Sequence, residues 1–350
     1  MIPDQSRKYN ILIFLMSLLV CIGLITASDI ILGRIRDSRK PVVKRVQDIY
    51  KVGTEFDENL GYRVRPNLAL PVTKYANGEP VYAVVYHTDR FGRRVVPESS
   101  NRNDAQKFIA FFGCSFTFGE GVQDEETLPN LVAREMPDYM VYNYGVFGYG
   151  PQHLLRMVET GFVNKTIPQR KGIIVYSMFF DHINRAVGRM NIILMNGRHF
   201  PYYQLQEGNL VFAGHFDRER TCLHRLMSLV NKSGIVRYFY LNFPPLREKD
   251  FETTARMITE TKRLLSKQFE EIEFYILVYP TIANLNRSIA PMYPYLSDNS
   301  ITVLDFYDMP YDRSIHALHM KYDFHPSPLL HKIMSEKLLG TLKKTEHTSR

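Results

Sequence analysis

Hydrophobic positions along this chain follow two rhythms. One is a single block: Tyr9 to Ser28, "YNILIFLMSLLVCIGLITAS", holds 20 residues without a charge. As a helix rising about 1.5 Å per residue, it would span about 30 Å, the thickness of a bilayer core. The other rhythm starts near residue 107, where short apolar runs recur. They are "FIAFFG" (108–113), "YMVYNYGV" (139–146), "GIIVYSMFF" (172–180), "EFYILVYP" (273–280) and "ITVLDF" (301–306). Their continuity predicts strands buried on both faces. Stretches near 127–136, 151–162, 222–233 and 251–269 predict the helices between them. Alternating strand and helix implies a parallel sheet covered on both sides, with sites beyond the carboxyl ends of its strands.

The segment between the two rhythms reads differently. "NLGYRVRPNLALPV" carries Pro and Asn punctuation, and "PVYAVVYHTDRFGRR" alternates as a strand leading to a turn at Asp89–Gly92. "PESSNRNDAQK" (97–107) reads as a polar linker. The expected organisation is therefore residues 1–45 as membrane anchor and basic juxtamembrane segment, 46–106 as strand-rich arm and linker, and 107–345 as the main domain. The last helix is marked by Ser327 as N-cap and Pro328 as its first residue, with Gly340 near its C-terminus. That places Asp323 and His325 on the loop before it.

Composition narrows the class. With 45% hydrophobic and 23% charged residues, the 350-residue chain can bury a core, which excludes wholesale disorder. The net charge of +8 is concentrated in "GRIRDSRKPVVKR" (33–45), directly after the apolar block. Such a run fits juxtamembrane charge near anionic lipid. No basic helix or aromatic stacking module accompanies it, so a nucleic-acid partner is not expected. Cleavage of the block after Ala27 would leave Ile25 where a small residue is preferred, so an uncleaved anchor through residues 9–28 is expected. The flanking charges, counted alone, point to a cytoplasmic main domain, although long domains also translocate against such charge. Cys21, Cys114 and Cys222 form neither a disulfide framework nor a metal spacing, and Cys114 reads as a small buried residue. Oligomeric state is not legible.

The chemistry centres on "FFGCSFTFGEGV" (111–122). A serine acts as a nucleophile only with a base to take its proton and donors to hold an oxyanion. Ser115 is not in a G-x-S-x-G elbow, because Thr117 stands at the second glycine. The stretch does resemble the first block of the SGNH/GDSL hydrolases, G-D-S-x-T-x-G, with Gly113, Ser115, Thr117 and Gly119 in place and Cys114 for the Asp. "NYGVFGYG" resembles the second block, with Gly148 as the oxyanion glycine. "YDFHPSPLLH" resembles the last, with His325 as base and Asp323 as its orienting acid. Here the spacing is D-x-H where the family has D-x-x-H, leaving a backbone carbonyl as the alternative partner of His325. The third block, G-x-N-D, is replaced by "FFDHINR". Asp181, His182 and Arg185 are its polar residues, and a protonated His182 or Arg185 could replace the missing Asn donor. "DH-x-x-R" beside "GCSFTFGEGV" resembles membrane-linked bacterial SGNH-like proteins.

The resemblance implies a flavodoxin-like SGNH three-layer sandwich. It implies a serine esterase or O-acyltransferase working through an acyl-enzyme on Ser115, with no metal and no organic cofactor. An anchored enzyme of this kind would act on an ester, such as an O-acyl group, of an envelope glycan or lipid, with the domain extracytoplasmic (periplasmic). The alternative is a non-catalytic glycan-binding or envelope-assembly protein using the same cleft. A phosphate or nucleotide binder is disfavoured, because neither G-x-x-x-x-G-K-[ST] nor a dinucleotide fingerprint occurs. His316 and His319 in "SIHALHM" read as surface histidines or as supports behind the site.

Overall fold

The computed structural model describes residues 4–195, 197–280, 288–297, 299–307, 309 and 318–348. A helix from Asp4 to Ser38 begins the described chain, and its side chains from Tyr9 to Ile31 are largely exposed and apolar. It is long and apolar enough to cross a membrane. Strands β1 (Val43–Val46), β2 (Thr54–Asp57), β3 (Gly61–Val64), β4 (Ala69–Ala76) and β5 (Glu79–His87) follow. β1, β4 and β5 form an antiparallel sheet, and β2 pairs with β3 as a hairpin.

The main sheet contains β6 (Lys107–Gly113), β7 (Tyr139–Gly145), β8 (Lys171–Met178), β11 (Glu271–Val278) and β12 (Thr302–Asp305), all parallel. Between β8 and β11 the chain inserts an antiparallel hairpin, β9 (Pro201–Gln206) and β10 (Asn209–His215), with several short helices. The order across the main sheet is β12-β11-β8-β6-β7. Numbered within the sheet this is 2-1-3-4-5 read from the β7 edge, the flavodoxin-like arrangement.

Side chains on β6 show why the run is continuous. Phe108, Ala110 and Phe112 pack into the layer holding the helices Pro151–Glu159 and Glu248–Gln268. Ile109 and Phe111 pack into the layer holding Leu128–Glu135 and Pro328–Thr348. All five are fully buried. Each large apolar side chain so buried contributes about 1.5–3 kcal/mol, which is what holds three layers together.

The expected strands and helices fall within a few residues of their predicted positions, and the differences have local causes. The 151–162 helix breaks at Gly161, whose φ of +71° starts a new short helix, Phe162–Thr166. The last helix does not stop near Gly340; it continues to Thr348, because Gly340 keeps an ordinary negative φ on an open face. The 97–107 stretch is no free linker. Ser99 is buried and its Oγ accepts from Val141 N (2.7 Å), while Arg102 donates to the carbonyls of Met136 and Tyr139. His316 lies outside the described residues. His319 is buried, not on the surface.

One arm residue ties the two parts together. Arg94 is fully buried, with its guanidinium over the rings of Tyr86 and Phe118. It donates to Asp124 Oδ1 (2.6 Å) and to the carbonyls of Phe118, Gly119 and Val122. Replacing Arg94 by Met should cost about 3–5 kcal/mol, because a buried carboxylate and three carbonyls lose their donor. Urea unfolding followed by far-ultraviolet circular dichroism measures it. A loss below about 1 kcal/mol would show that the clamp is dispensable.

Candidate active site

Ser115 follows the carboxyl end of β6, the strand flanked by β7 on one side and β8 on the other. That is the point where the chain reverses its direction of travel across the sheet, and crevices form there. The turn is tight. A Cβ on Gly113 would lie 2.2 Å from Thr117 Oγ1 and 2.7 Å from the Ser177 carbonyl, so no larger residue fits. Asn143, on β7, braces the turn by donating to the Thr117 carbonyl while accepting from Gly145 N, both at 2.9 Å. Ser115 itself is 6% exposed.

His325 arrives from the loop before the last helix, and its Nε2 lies 2.9 Å from Ser115 Oγ. Asp323 Oδ1 accepts from both the backbone N–H (3.0 Å) and the ring Nδ1 (2.5 Å) of His325. The short D-x-H spacing therefore still brings the carboxylate to the ring: it closes an Asx turn over one residue and reaches Nδ1 as well. A backbone carbonyl is not needed in its place. With Asp323 on Nδ1, the ring is fixed with Nε2 facing the serine.

Two further charged groups complete the cluster, and neither was foreseen. Lys74 Nζ on β4 pairs with Asp323 Oδ2 at 2.5 Å, and both side chains are buried. Burial opposes the charge of Asp323, but His325 and Lys74 outweigh it and hold the carboxyl well below the usual carboxylate range. Glu120, fully buried, places Oε2 3.2 Å from His325 Nε2. Tyr50 donates to Glu120 Oε2 (2.7 Å) and Tyr82 to Oε1 (3.2 Å). Burial, and then the charge of Glu120, push both phenols up, so they stay protonated donors.

Sequence signals for these residues existed. Lys74 sits in register with Val72 and Ala76 on the buried face of β4, an unusual place for an unpaired lysine. Glu120 stands between two glycines within the serine block itself. Arg45, counted among the juxtamembrane charges, lies over the Tyr50 ring at 5.5 Å rather than standing free.

Candidate oxyanion donors sit beside this cluster. The backbone N–H groups of Ser115 and Gly148 have no hydrogen-bond partner among the described residues. Gly148 has φ +73°, and a Cβ there would meet Tyr62 Oη at 2.8 Å. The Tyr62 hydroxyl donates to the Phe147 carbonyl. That carbonyl and the Gly148 N–H share one planar trans peptide, so they point in opposite directions. Tyr62 therefore fixes where the Gly148 N–H points.

The "FFDHINR" segment begins a short helix, Asp181–Val187. His182 is not a protonated donor. Burial, then the nearby Arg185 and His153, hold it well below the usual histidine range, and its Nδ1 lies 2.7 Å from Tyr176 Oη. Arg185 is the cation of the segment. It donates to the Tyr149 carbonyl (2.8 Å), lies 3.5 Å from Asp181, and its guanidinium neighbours Cys114, the residue before Ser115.

Glu120, Asp323 and His325 could in principle hold a cation, since each offers a ligand atom within 4.8 Å of the others. Lys74 already occupies one oxygen of Asp323, so an ammonium supplies the positive charge that a metal would bring. A cavity of about 550 Å³ is lined by Tyr50 and Tyr62, which also bond to Glu120 and the Phe147 carbonyl, and by Leu194, Met195, His224 and Ser228 among others; Ser115 and His325 do not line it.

The electrostatics can be tested on His325 alone. Burial lowers its basicity, Glu120 and Asp323 raise it, Lys74 lowers it, and the net effect is upward. By nuclear magnetic resonance titration of the His325 ring, Glu120→Gln should shift the pKa down and Lys74→Met should shift it up. Equal shifts of one sign, or none, would overturn this account of the cluster.

No protein-family model matches the chain, and no curated protein matches it. Among solved structures it is similar to a lipolytic protein of the G-D-S-L family from Veillonella parvula, at 13% identity and a TM-score of 0.40, covering 67% of this chain and 97% of that one. It is similar to a lipase/acylhydrolase from Enterococcus faecalis, at 12% identity and a TM-score of 0.39, covering 69% and 96%. It is also similar to a family two carbohydrate esterase from Clostridium thermocellum, solved with cellohexaose, at 11% identity and a TM-score of 0.40, covering 69% and 65%.

Proposed function

We propose that this chain is a membrane-anchored serine esterase or O-acyltransferase of the SGNH type. The observation that carries the reading is the continuous hydrogen-bonded line Ser115–His325–Asp323 beyond the end of β6, with Ser115 and Asp323 buried and His325 partly so. Ser115 Oγ attacks the acyl carbonyl carbon while His325 Nε2 takes its proton, and Asp323 holds the imidazolium that results. The oxyanion is received by the N–H groups of Ser115 and Gly148, each worth about 3 kcal/mol in such roles. Arg185, packed beside Cys114, adds positive field where the family's Asn would stand. His325 then returns the proton to the departing alcohol, leaving an ester on Ser115. Water releases the acid, or a sugar hydroxyl takes the acyl group; in either case His325 serves as base again.

The apolar helix argues for a substrate at the membrane, such as an O-acylated envelope glycan or lipid, and for an extracytoplasmic domain. The binding-protein reading rests on the irregular third block. Its weight falls because the nucleophile, base and acid are already in mutual reach.

A fluorophosphonate probe should label the detergent-solubilised chain on Ser115. Ser115→Ala should abolish labelling and aryl-acetate hydrolysis, and His325→Ala should slow both by about 10³-fold or more. Labelling that survives Ser115→Ala, or a folded wild-type chain that neither labels nor hydrolyses, would sink the hydrolase reading. Mass spectrometry of products then separates free acid from acylated sugar.

A further inference from the structure

The end of the apolar helix is not free; it is docked onto the insertion between β8 and β11. Asp29, the first charged residue after the uncharged stretch, accepts from Ser233 Oγ (2.5 Å) and Ile235 N (2.9 Å) through one carboxylate oxygen. Two turns on, Asp37 pairs with Arg237 at 2.8 Å. Between these bonds the backbones nearly touch. A Cβ on Gly234 would lie 1.8 Å from the Asp29 carbonyl, and one on Gly33 would lie 3.2 Å from Gly234 Cα. The contact is between two glycines, so neither segment can slide along or turn about the other without a clash.

This junction sets a depth. Asp29 follows the last uncharged residue by one position, about 1.5 Å of rise, and Asp37 lies about 12 Å further along. The polar headgroup layer on each side of a bilayer core is about 5–8 Å thick. Ser233 and Ile235, held at Asp29, therefore stand at headgroup level wherever the helix spans, and Arg237, held at Asp37, stands at or just beyond its outer edge.

The surface next to this junction is apolar. On the helix Thr221–Val230, Met227 faces inward while Leu226 and Leu229 (64% exposed) face out. The chain after Tyr238 exposes Phe239 (59%), Tyr240 (74%), Leu241 and Phe243. Arg36, from the membrane helix, lies over the Tyr240 ring at 4.8 Å, joining the two surfaces. Arg225 and Lys232 are exposed beside this patch, as are Arg34 and Arg39 on the helix. Aromatic and leucine side chains edged by cations suit the lipid–water boundary, where the rings enter the interface and the cations meet anionic headgroups.

We infer that residues 221–243 form a second membrane contact, an interfacial surface that lies on the bilayer beside the spanning helix. The inference rests on the membrane-anchor reading proposed above. It has a consequence for the site. His224 and Ser228, on the same Thr221–Val230 helix, line the 550 Å³ cavity that also meets Tyr50 and Tyr62. With that helix on the membrane, the cavity opens next to lipid headgroups, and the substrate class becomes an ester borne on a lipid.

The full chain in phosphatidylglycerol-containing liposomes tests this with single cysteines carrying an environment-sensitive fluorophore. The starting variant is Cys21→Ala with Cys222→Ala, whose remaining Cys114 is buried and takes no label, and labels go to Leu226→Cys, Leu229→Cys and Phe239→Cys in turn. A variant retaining Cys21 alone reports the anchor. Nitroxide placed near the lipid headgroup should quench positions 226, 229 and 239 strongly, and nitroxide deep in the acyl chains should quench Cys21. If Cys21 is quenched and the other three keep their fluorescence, the interfacial surface is overturned and the anchor stands. If Cys21 is not quenched by lipid nitroxide, the anchor reading fails and the surface falls with it.

Discussion

The guanidinium of Arg94 is the joint on which the site depends. It comes from the segment that precedes the main sheet, yet its hydrogen bonds end on the carbonyls of Phe118, Gly119 and Val122 and on Asp124, the loop that follows Ser115. Phe118 and Val122 of that loop bury their side chains, but its glycines at 119 and 121 leave the directions of its carbonyls undefined by side-chain packing alone. Its carbonyls are instead gathered by one planar cation with donors in fixed directions, a task that an ammonium could not perform equally well. Glu120 lies inside the clamped loop, so its approach to His325 is fixed by the same contact.

The preceding arm is consequently part of the site. Lys74 neutralises one oxygen of Asp323, Tyr50 and Tyr82 hold Glu120, and Tyr62 orients the Gly148 peptide. Four residues from four different elements of the arm thus meet the carboxyl ends of β6 and β7. In most doubly wound sheets the loops themselves supply such groups. Here the loops supply Ser115, His325 and Asp323, while an outside layer supplies the groups that brace them.

That division explains what could be read beforehand. The main sheet was legible because its strands are buried on both faces and so carry uninterrupted apolar runs. Ser115, His325 and Asp323 could be singled out because the short blocks around them resemble those of the SGNH/GDSL hydrolases, and because Ser327 and Pro328 mark the helix start that puts the last two on a loop. The supports were not legible in this way. Lys74 is 249 positions from Asp323, and Tyr50 is 70 from Glu120; only the tertiary arrangement brings them together. The third block misled for a related reason. His182 and Arg185 looked equivalent as donors, but His182 is sealed against Tyr176 and held neutral, which only burial decides.

The charges around His325 make an argument of their own. With the imidazole neutral, two buried carboxylates, Glu120 and Asp323, face one ammonium, Lys74. Burial opposes a charged ring, Glu120 and Asp323 favour it, Lys74 opposes it, and Arg45 also acts on Glu120; the net effect on His325 is upward. Fixed charges arranged in this way favour the imidazolium without reorganisation when a proton reaches the ring. Asp323 alone serves that end in a simpler triad. Glu120 adds to it from the other side of the ring, but it also offers Nε2 a partner that competes with Ser115. The distances rank the two: Nε2 is 2.9 Å from the serine and 3.2 Å from the glutamate. Tyr50 and Tyr82 each donate to the same carboxylate, so Glu120 is already partnered from the arm, while Ser115 holds the nearer place at the ring.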